Sequence, residues 1–352
     1  MKKWILVLGL ISNFKAFAYD YSDCFETSGC LPCPNSTDGK CFYSTQGNKM
    51  TIYGPTSTEK NEDGSLKEVT WIPNDAFYNG TTSSVPEGIT SLEMVGNIVS
   101  IGSSAFEQSP LNNVQFSETL EIIGELAFWN NSLAEINFPN TLKSIEDSAF
   151  NWNEFSEMEL PSSLNSLGDA FRGVQLTNII IPDSISEVKD HTFSQNYSLQ
   201  TFVVGENTTL GDIFTYTDGI ASIQFKNFKM FCGEGNASCV TSLQSAGATE
   251  EQIAQILKTF TKDNTTGVYK TSDGKYYADI HLMAKNIACD NKQNCELAAA
   301  NIRAGYPFDI KGKSYVSVGD LIKGNYIKKR IYTIDEANAV TGNKNRVSIT
   351  YR

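Results

Sequence analysis

Apolar and polar positions along this chain recur with a period far longer than that of a helix or a strand. The segments ITSLEMVGNIVSIGSSAFEQSP, LNNVQFSETLEIIGELAFWNNS, LAEINFPNTLKSIEDSAFNWNE, FSEMELPSSLNSLGDAFRGVQ and LTNIIIPDSISEVKDHTFSQNYS follow one another, then the weaker LQTFVVGENTTLGDIFTYTDG and a terminal IASIQFKNFKMF. Their closing phenylalanines fall at 106, 128, 150, 171, 193 and 214, spaced by 21 or 22 residues. A fixed period of this size marks a solenoid, in which each coil buries its apolar face only against its neighbours.

Within a unit, L-x-x-I-x-F alternates as a short strand and points Val114/Phe116, Ile136/Phe138 and Ile179/Ile181 inward. Pro139, Pro161 and Pro182 sit just past that strand, where a missing N–H disrupts no ladder. A second apolar pair follows (Leu120/Ile123, Leu142/Ile145, Leu164/Leu167), and Ala-Phe closes the coil. A large ring stacked in every coil fills the hollow the strand cannot reach, so these aromatics are core and not a ligand box. Asn131, Asn153 and Asn196 stand three residues after the Phe. Asn satisfies turn backbone groups and tolerates left-handed geometry, which predicts an internal hydrogen-bonded ladder.

The pattern L-x-x-I-x-(F/I)-P-x-(T/S)-(L/I)-x-x-(I/L)-G-x-x-A-F-x-x-N resembles the BspA-type leucine-rich repeat family over roughly residues 70 to 228. WIPNDAFYN, at 71 to 79, is its degenerate first coil, with Phe77 lying 29 residues before Phe106. The resemblance implies an α+β, solenoid architecture: a right-handed leucine-rich-repeat solenoid of about seven coils, mostly β with little helix. It also implies a secreted or surface protein with an adhesion-type role, acting on a protein or a surface glycan.

The flanks divide the rest. Residues 1–18 have a basic start (Lys2, Lys3), an apolar run from Trp4 to Ile11 and Ala16-Phe17-Ala18 before Tyr19, as a secretory signal does. Residues 19–69 are expected to form a Cys-rich β cap, with a strand at 48–54 and a turn and second strand within 61–71. A C-terminal cap occupies 229–260, with a disulfide loop and a helix over 248–260. Thr249 is its N-cap, and Ile253, Ile256, Leu257 and Phe260 share one face. A small α+β module fills 261–352: a hairpin turning at Asp273-Gly274, a strand at RIYT, a short helix ending at Gly342, and a last strand at RVSITYR.

Export changes the reading of the cysteines. All eight lie outside the main repeats, and an even count in an exported chain argues for disulfides. The close pairs predict bridges from Cys232 to Cys239 and from Cys289 to Cys295. Cys24, Cys30, Cys33 and Cys41 allow three connectivities. Cys30-Leu-Pro-Cys33 has the spacing of a redox motif, but no β-α-β frame precedes it, so structural bridges are favoured over it and over a zinc knuckle.

The chain carries 40 acidic and 28 basic residues. Loss of the signal removes three Lys, leaving 25 basic against 40 acidic and a net −15. Such a field repels polyanions, which excludes nucleic acid as a partner class. No apolar run after residue 18 is long enough to span a bilayer. His191 sits in a turn and His281 in a Tyr-rich strand without an acid-base partner. No metalloprotease, hydrolase, P-loop or dinucleotide motif occurs, and no cofactor or metal is expected.

What is left is a surface. The third and fifth residues of each L-x-x-I-x-F strand point outward: Ser91/Glu93, Asn113/Gln115, Glu135/Asn137, Glu157/Glu159, Asn178/Ile180, Thr201/Val203 and Ser222/Gln224. This strip is the candidate ligand-binding face, polar with an acidic middle and turning apolar at Ile180 and Val203. Trp129 and Trp152, one and two residues past the Phe in adjacent coils, are candidate aromatic contacts with sugar or protein, the alternative being that they pack inward as loop core. The sequence thus predicts an exported, non-enzymatic binding module. Its alternatives are a structural or envelope protein docked through the C-terminal module, and an enzyme with its site around Asp279, His281 and the tyrosines.

Overall fold

The computed structural model describes residues 31–34, 41–214, 227–278, 280, 283, 289–296 and 299, together with strands at 308–310, 313–315, 332–333 and 349–350. The signal segment 1–18, Cys24, Cys30, Asp279, His281, Ser222, Gln224 and the short helix before Gly342 lie outside them.

The coils contribute strands to a long first face, except at 135–137 and 157–159, and to a second face, and the strands of successive coils pair in parallel. On the first face Lys49–Tyr53 pairs with Ser91–Val95, and that strand with Asn113–Gln115. Further along, Asn178–Ile180 pairs with Thr201–Val204, which pairs with Lys229–Gly233 and through it with Leu257–Asp263. On the second face Thr70–Ile72, Ile98–Ile101, Ile122–Ile123, Ser144–Ile145 and Ser166–Leu167 run side by side. The N-terminal hairpin of Phe42–Gln46 and Lys49–Tyr53 thereby caps the first sheet by joining it.

The core between the two faces is the one the repeat predicts. The rings of Phe77, Phe106, Phe128, Phe150, Phe171 and Phe193 stack face to face at 5.2 to 6.0 Å between neighbours. Phe77 belongs to this column, so WIPNDAFYN is a true coil in spite of its 29-residue spacing. Asn153 donates to the carbonyls of Phe128 (2.9 Å) and Phe150 (3.0 Å) and accepts from the Leu133 N–H (3.1 Å), stitching one coil to the one before. Asn196 does the same with Phe171, Phe193 and Leu176, and Asn131 bonds Phe106.

The turn around the Phe has its own rule. Residues two before it (Ser104, Leu126, Ser148, His191) and two after it (Gln108, Asn130, Trp152, Gln195) are left-handed, with φ between 53° and 63°. That geometry aims their N–H groups along the solenoid axis at the next coil: Leu126 at the Asp147 carbonyl, Asn130 at that of Asn151, and His191 at that of Asp212. Gly168 precedes the turn because a Cβ there would lie 2.4 Å from Asp147 Oδ1 and 2.5 Å from its nitrogen.

Three expectations change. The helix over 248–260 is only Glu250–Ile256, after a second helix at Ser238–Ser245. Thr249 caps it in a full capping box with Gln252. Leu257 and Phe260 belong instead to the strand Leu257–Asp263, since LKTFTKD alternates and bonds in register with Lys229–Gly233. The strand beside Thr201–Val204 is Lys229–Gly233, so Phe231 takes the outward position assigned to Gln224. It also sets Cys232 in the core, bridged to Cys239. Finally, residues 135–137 and 157–159 follow the path of the first face without a ladder. Glu135 and Glu157 hold the same outward position in those two coils, and like charges opposite one another weaken strand pairing.

The other disulfides also resolve. Cys289 pairs with Cys295, and Cys33 with Cys41. Cys33 is therefore not the partner of Cys30, which removes the redox reading of Cys30-Leu-Pro-Cys33. The hairpin at Asp273-Gly274 forms between Val268–Thr271 and Tyr276–Tyr277. Tyr332–Thr333 pairs with Ile349–Thr350.

Candidate functional site: a partly covered sheet face

The outward positions of the first face divide into two halves. Gln115, Glu135, Glu157 and Glu159 are exposed, while Ser91, Glu93, Asn113, Asn137 and Asn178 are half-buried. Their bonds follow the coils: Asn113 Nδ2 donates to Ser91 Oγ at 3.2 Å, and Asn178 Nδ2 to Thr177 Oγ1 at 3.1 Å. At the N-terminal end Glu93 meets Lys49 Nζ at 2.6 Å, a bond that raises the Lys49 pKa above the ordinary lysine value. The acid of the first coil is thus balanced within the sheet.

Beyond Asn178 the face turns apolar and the chain covers it. Val203 is fully buried and Phe231 nearly so, in a second core with Phe260, Val268, Tyr269, Tyr277, Ala278, Met283, Cys289, Cys295 and Ala299. Ile180 lies half-buried at the edge of this core. Thr201, one of the outward positions, is buried too. The Asp273-Gly274 hairpin extends the sheet, and the Cys289–Cys295 loop hangs from it through the Cys289 N–H to the Tyr276 carbonyl at 2.7 Å. Burial pushes the Tyr277 phenol above its ordinary pKa. Lys262 closes the seam on Asp183 at 2.7 Å while its ammonium lies 5.6 Å from the centre of the Tyr269 ring. Burial is the largest single influence and would lower the Lys262 pKa, but the bond to Asp183 and the attraction of Asp183 and Tyr269 together outweigh it, and the net direction is upward.

Ile180 therefore sits at a boundary, and Thr201 and Val203 are not part of an accessible strip. The open strip is Ser91 to Glu159. Sequence reasoning missed the cover, although its signal was present: an outward series that runs Glu157/Glu159, Asn178/Ile180, Thr201/Val203 loses its polarity where the cover begins.

The aromatic candidates lie on the Phe turn that leads into each strand, outside the strip. Trp129 is half-buried. Trp152 is 42% exposed, with the Arg172 guanidinium 5.8 Å from its ring centre. His191 is exposed in the equivalent turn. Among the described residues no group of three or more His, Cys, Asp or Glu could hold a metal ion, and no helix is long and apolar enough to cross a membrane.

Comparison with protein families agrees with this geometry. A model described as a BspA type leucine rich repeat region matches in six copies, over residues 70–200 and 123–241. Among solved structures, a leucine-rich repeat protein from Bacteroides ovatus is 20% identical, with a TM-score of 0.39, over 55% of this chain and 54% of its own. The match thus spans about half the length of that relative. The T. pallidum leucine rich repeat protein is 17% identical, with a TM-score of 0.34, over 61% of this chain and 96% of its own. A leucine-rich repeat protein from Eubacterium ventriosum is 13% identical, with a TM-score of 0.30, over 52% and 68%. Among curated proteins none matches.

Proposed function

The chain belongs to the BspA-type leucine-rich repeat family through residues 70–241, and on that premise we propose that it is an exported, non-enzymatic binding protein whose open sheet strip docks a protein partner. One observation carries this reading. The chain folds its own hairpin over the apolar coils at Val203 and Phe231, yet leaves Gln115, Glu135, Glu157 and Glu159 facing solvent on the same face. Export rests on the N-terminal residues and agrees with three disulfides, which persist in oxidising compartments. The acidity of the strip favours a partner surface carrying Lys or Arg, through steering and register more than through raw affinity.

The test is binding of the secreted chain to a panel of purified matrix and cell-surface proteins, beside a Glu135→Lys/Glu157→Lys/Glu159→Lys variant. At least one protein should bind the wild type, and the variant should bind it roughly tenfold or more weakly, ~1.4 kcal/mol, with an unchanged melting temperature. A wild type that binds none of the panel, or a variant that binds as tightly, ends this reading.

A further inference from the structure

We infer that the Phe-turn ridge carries a second, separate recognition site, an aromatic platform centred on Trp152 that takes a neutral sugar ring. The starting point is backbone. Position two after the Phe is left-handed in every regular coil, and the chain fills it with Gln108, Asn130, Trp152, Gly173 and Gln195. Gly and Asn are at home there, and the long amides are unexceptional. A bulky aromatic is the outlier, because its Cβ crowds the backbone at positive φ. Outliers of this kind gather at functional sites, and Trp152 is one, at a φ of 62°.

The next coil is shaped to receive the ring. Gly173 occupies the equivalent position directly ahead of it, at φ +71°, and a Cβ there would stand 2.6 Å from Trp152 Cε3 and 2.8 Å from Cζ3. The six-membered ring of the indole therefore rests on a bare glycine. Its backbone is pinned, with the Trp152 N–H on the Arg172 carbonyl at 2.9 Å and the Gly173 N–H on that of Ser194 at 3.0 Å. The result is an indole that stays 42% exposed while held in one place, which lowers the ordering cost of a ligand that stacks on it.

The groups along the same ridge choose the ligand. The Arg172 guanidinium lies over the ring, 5.8 Å from its centre, Asn130 is exposed in the coil before, and half-buried Gln195 follows beyond Gly173. Tyr197, 55% exposed, follows Gln195 by two residues. A pyranose presents an apolar C–H face and a rim of hydroxyls, which matches an aromatic floor bordered by amide and guanidinium groups. Coils stack at about the width of one sugar ring, roughly 5 Å, so an oligosaccharide can run along the ridge. A protein hot spot would call for an aromatic anchor sunk in a closed, desolvated pocket. The ridge instead spaces its aromatics with glycine and amides. A polyanion is opposed by the net charge of the chain.

This site does not rest on the acidic strip, and its test keeps the two apart. The secreted chain is applied to an array of neutral oligosaccharides, and each hit is titrated as the soluble sugar while tryptophan emission is followed. Trp152→Asn is the informative variant, because Asn130 already fills this left-handed position one coil earlier. It should fold with a melting temperature no lower than that of the wild type. The wild type should bind at least one neutral oligosaccharide with a change in emission, and Trp152→Asn should weaken it roughly tenfold or more. Glu135→Lys/Glu157→Lys/Glu159→Lys should leave it unchanged. No neutral sugar bound by the wild type, or full binding by Trp152→Asn, overturns the proposal. Loss in the triple variant alone would also overturn it and return the sugar to the strip.

Discussion

The coils around Phe128 and Phe150 and those around Val203 and Phe231 share one backbone plan and differ in what they turn outward. The first set leaves Gln115, Glu135 and Glu157 exposed among the described residues. The second shows Val203 and Phe231, and the chain lays a hairpin and a disulfide loop across them. The interior changes at the same place. The phenylalanines stack flat up to Phe193, after which Phe202, Phe214 and Phe228 meet edge to face. A solenoid coil thus has two independent choices, inside and outside, and this chain switches both together near residue 200.

The largest effect that would test this comparison is Phe150→Ala. Its ring stacks on Phe128 and Phe171 and meets Phe116, Phe138 and Phe155 edge on. Truncation removes aromatic contact and leaves a cavity, costing about 3–5 kcal/mol. Phe202→Ala, whose ring meets Phe193 and Phe214 edge to face, should cost less. Urea unfolding of both variants decides it, and equal losses would show that the stacked column adds nothing to simple burial.

Second is the asparagine ladder. Asn153→Ala strands the Phe128 and Phe150 carbonyls and the Leu133 N–H in the core. Roughly 2–3 kcal/mol should be lost, at 1–3 kcal/mol for each buried group left unpaired and with partial relaxation. The coil ending at Phe171 has Val174 in that position, so the ladder is already broken there. Amide exchange should therefore be fastest next to Val174 in the wild type and spread toward Leu133 in Asn153→Ala. Uniform protection along the array would contradict the ladder's role.

Those two regions were unequally legible. The disulfides at Cys232 and Cys289 were legible because their partners lie 7 and 6 residues on. Everything set by the period could be read directly: the inward pairs, the phenylalanine column and the ladder at Asn131, Asn153 and Asn196. Each depends on contacts between residues one coil apart, which a repeat displays openly. The helix end was misjudged because Ile253, Ile256, Leu257 and Phe260 fit a helical stripe and, from Leu257, a strand equally well; pairing with Lys229–Gly233 decided it. The cover was missed because it joins residues far apart, such as Asp183 and Lys262. The strip could be placed by alternation, but its length could not, since that is set by where the cover stops.

A smaller effect tests the boundary itself. Ile180→Ser puts a hydroxyl at the rim of the second core, where Ile180 is half-buried. A loss of about 1–2 kcal/mol is expected, confined to the hairpin. Hydrogen exchange at Val268–Thr271 should quicken while protection around Phe128 stays unchanged. Equal loosening of both would mean that the covered and open parts unfold as one unit.

The smallest effect concerns the ion pair that ties the parts together. Lys189 Nζ reaches Asp147 Oδ1 at 2.8 Å across two coils, with both side chains about half exposed. The bond to Lys189 holds the Asp147 pKa below the ordinary carboxylate value, and the bond to Asp147 holds that of Lys189 above the ordinary lysine value. A depressed carboxylate contributes stability above its unfolded pKa of about 3.9 and loses it as pH falls through the lower folded value. A raised lysine contributes fully below about 10.4 and loses it as pH rises through the higher folded value. The pair therefore acts across the neutral range and fades at both ends, and solvent screening limits it to less than about 1 kcal/mol. Asp147→Asn should lower the melting temperature slightly at neutral pH and match the wild type once the carboxylate is protonated in both states. Asp147 Oδ1 also accepts the Asp169 N–H at 3.2 Å, a bond that an Asn carbonyl can keep. A difference that persists in acid would thus assign the loss to that backbone bond and leave Lys189 with no part in joining the open coils to the covered ones.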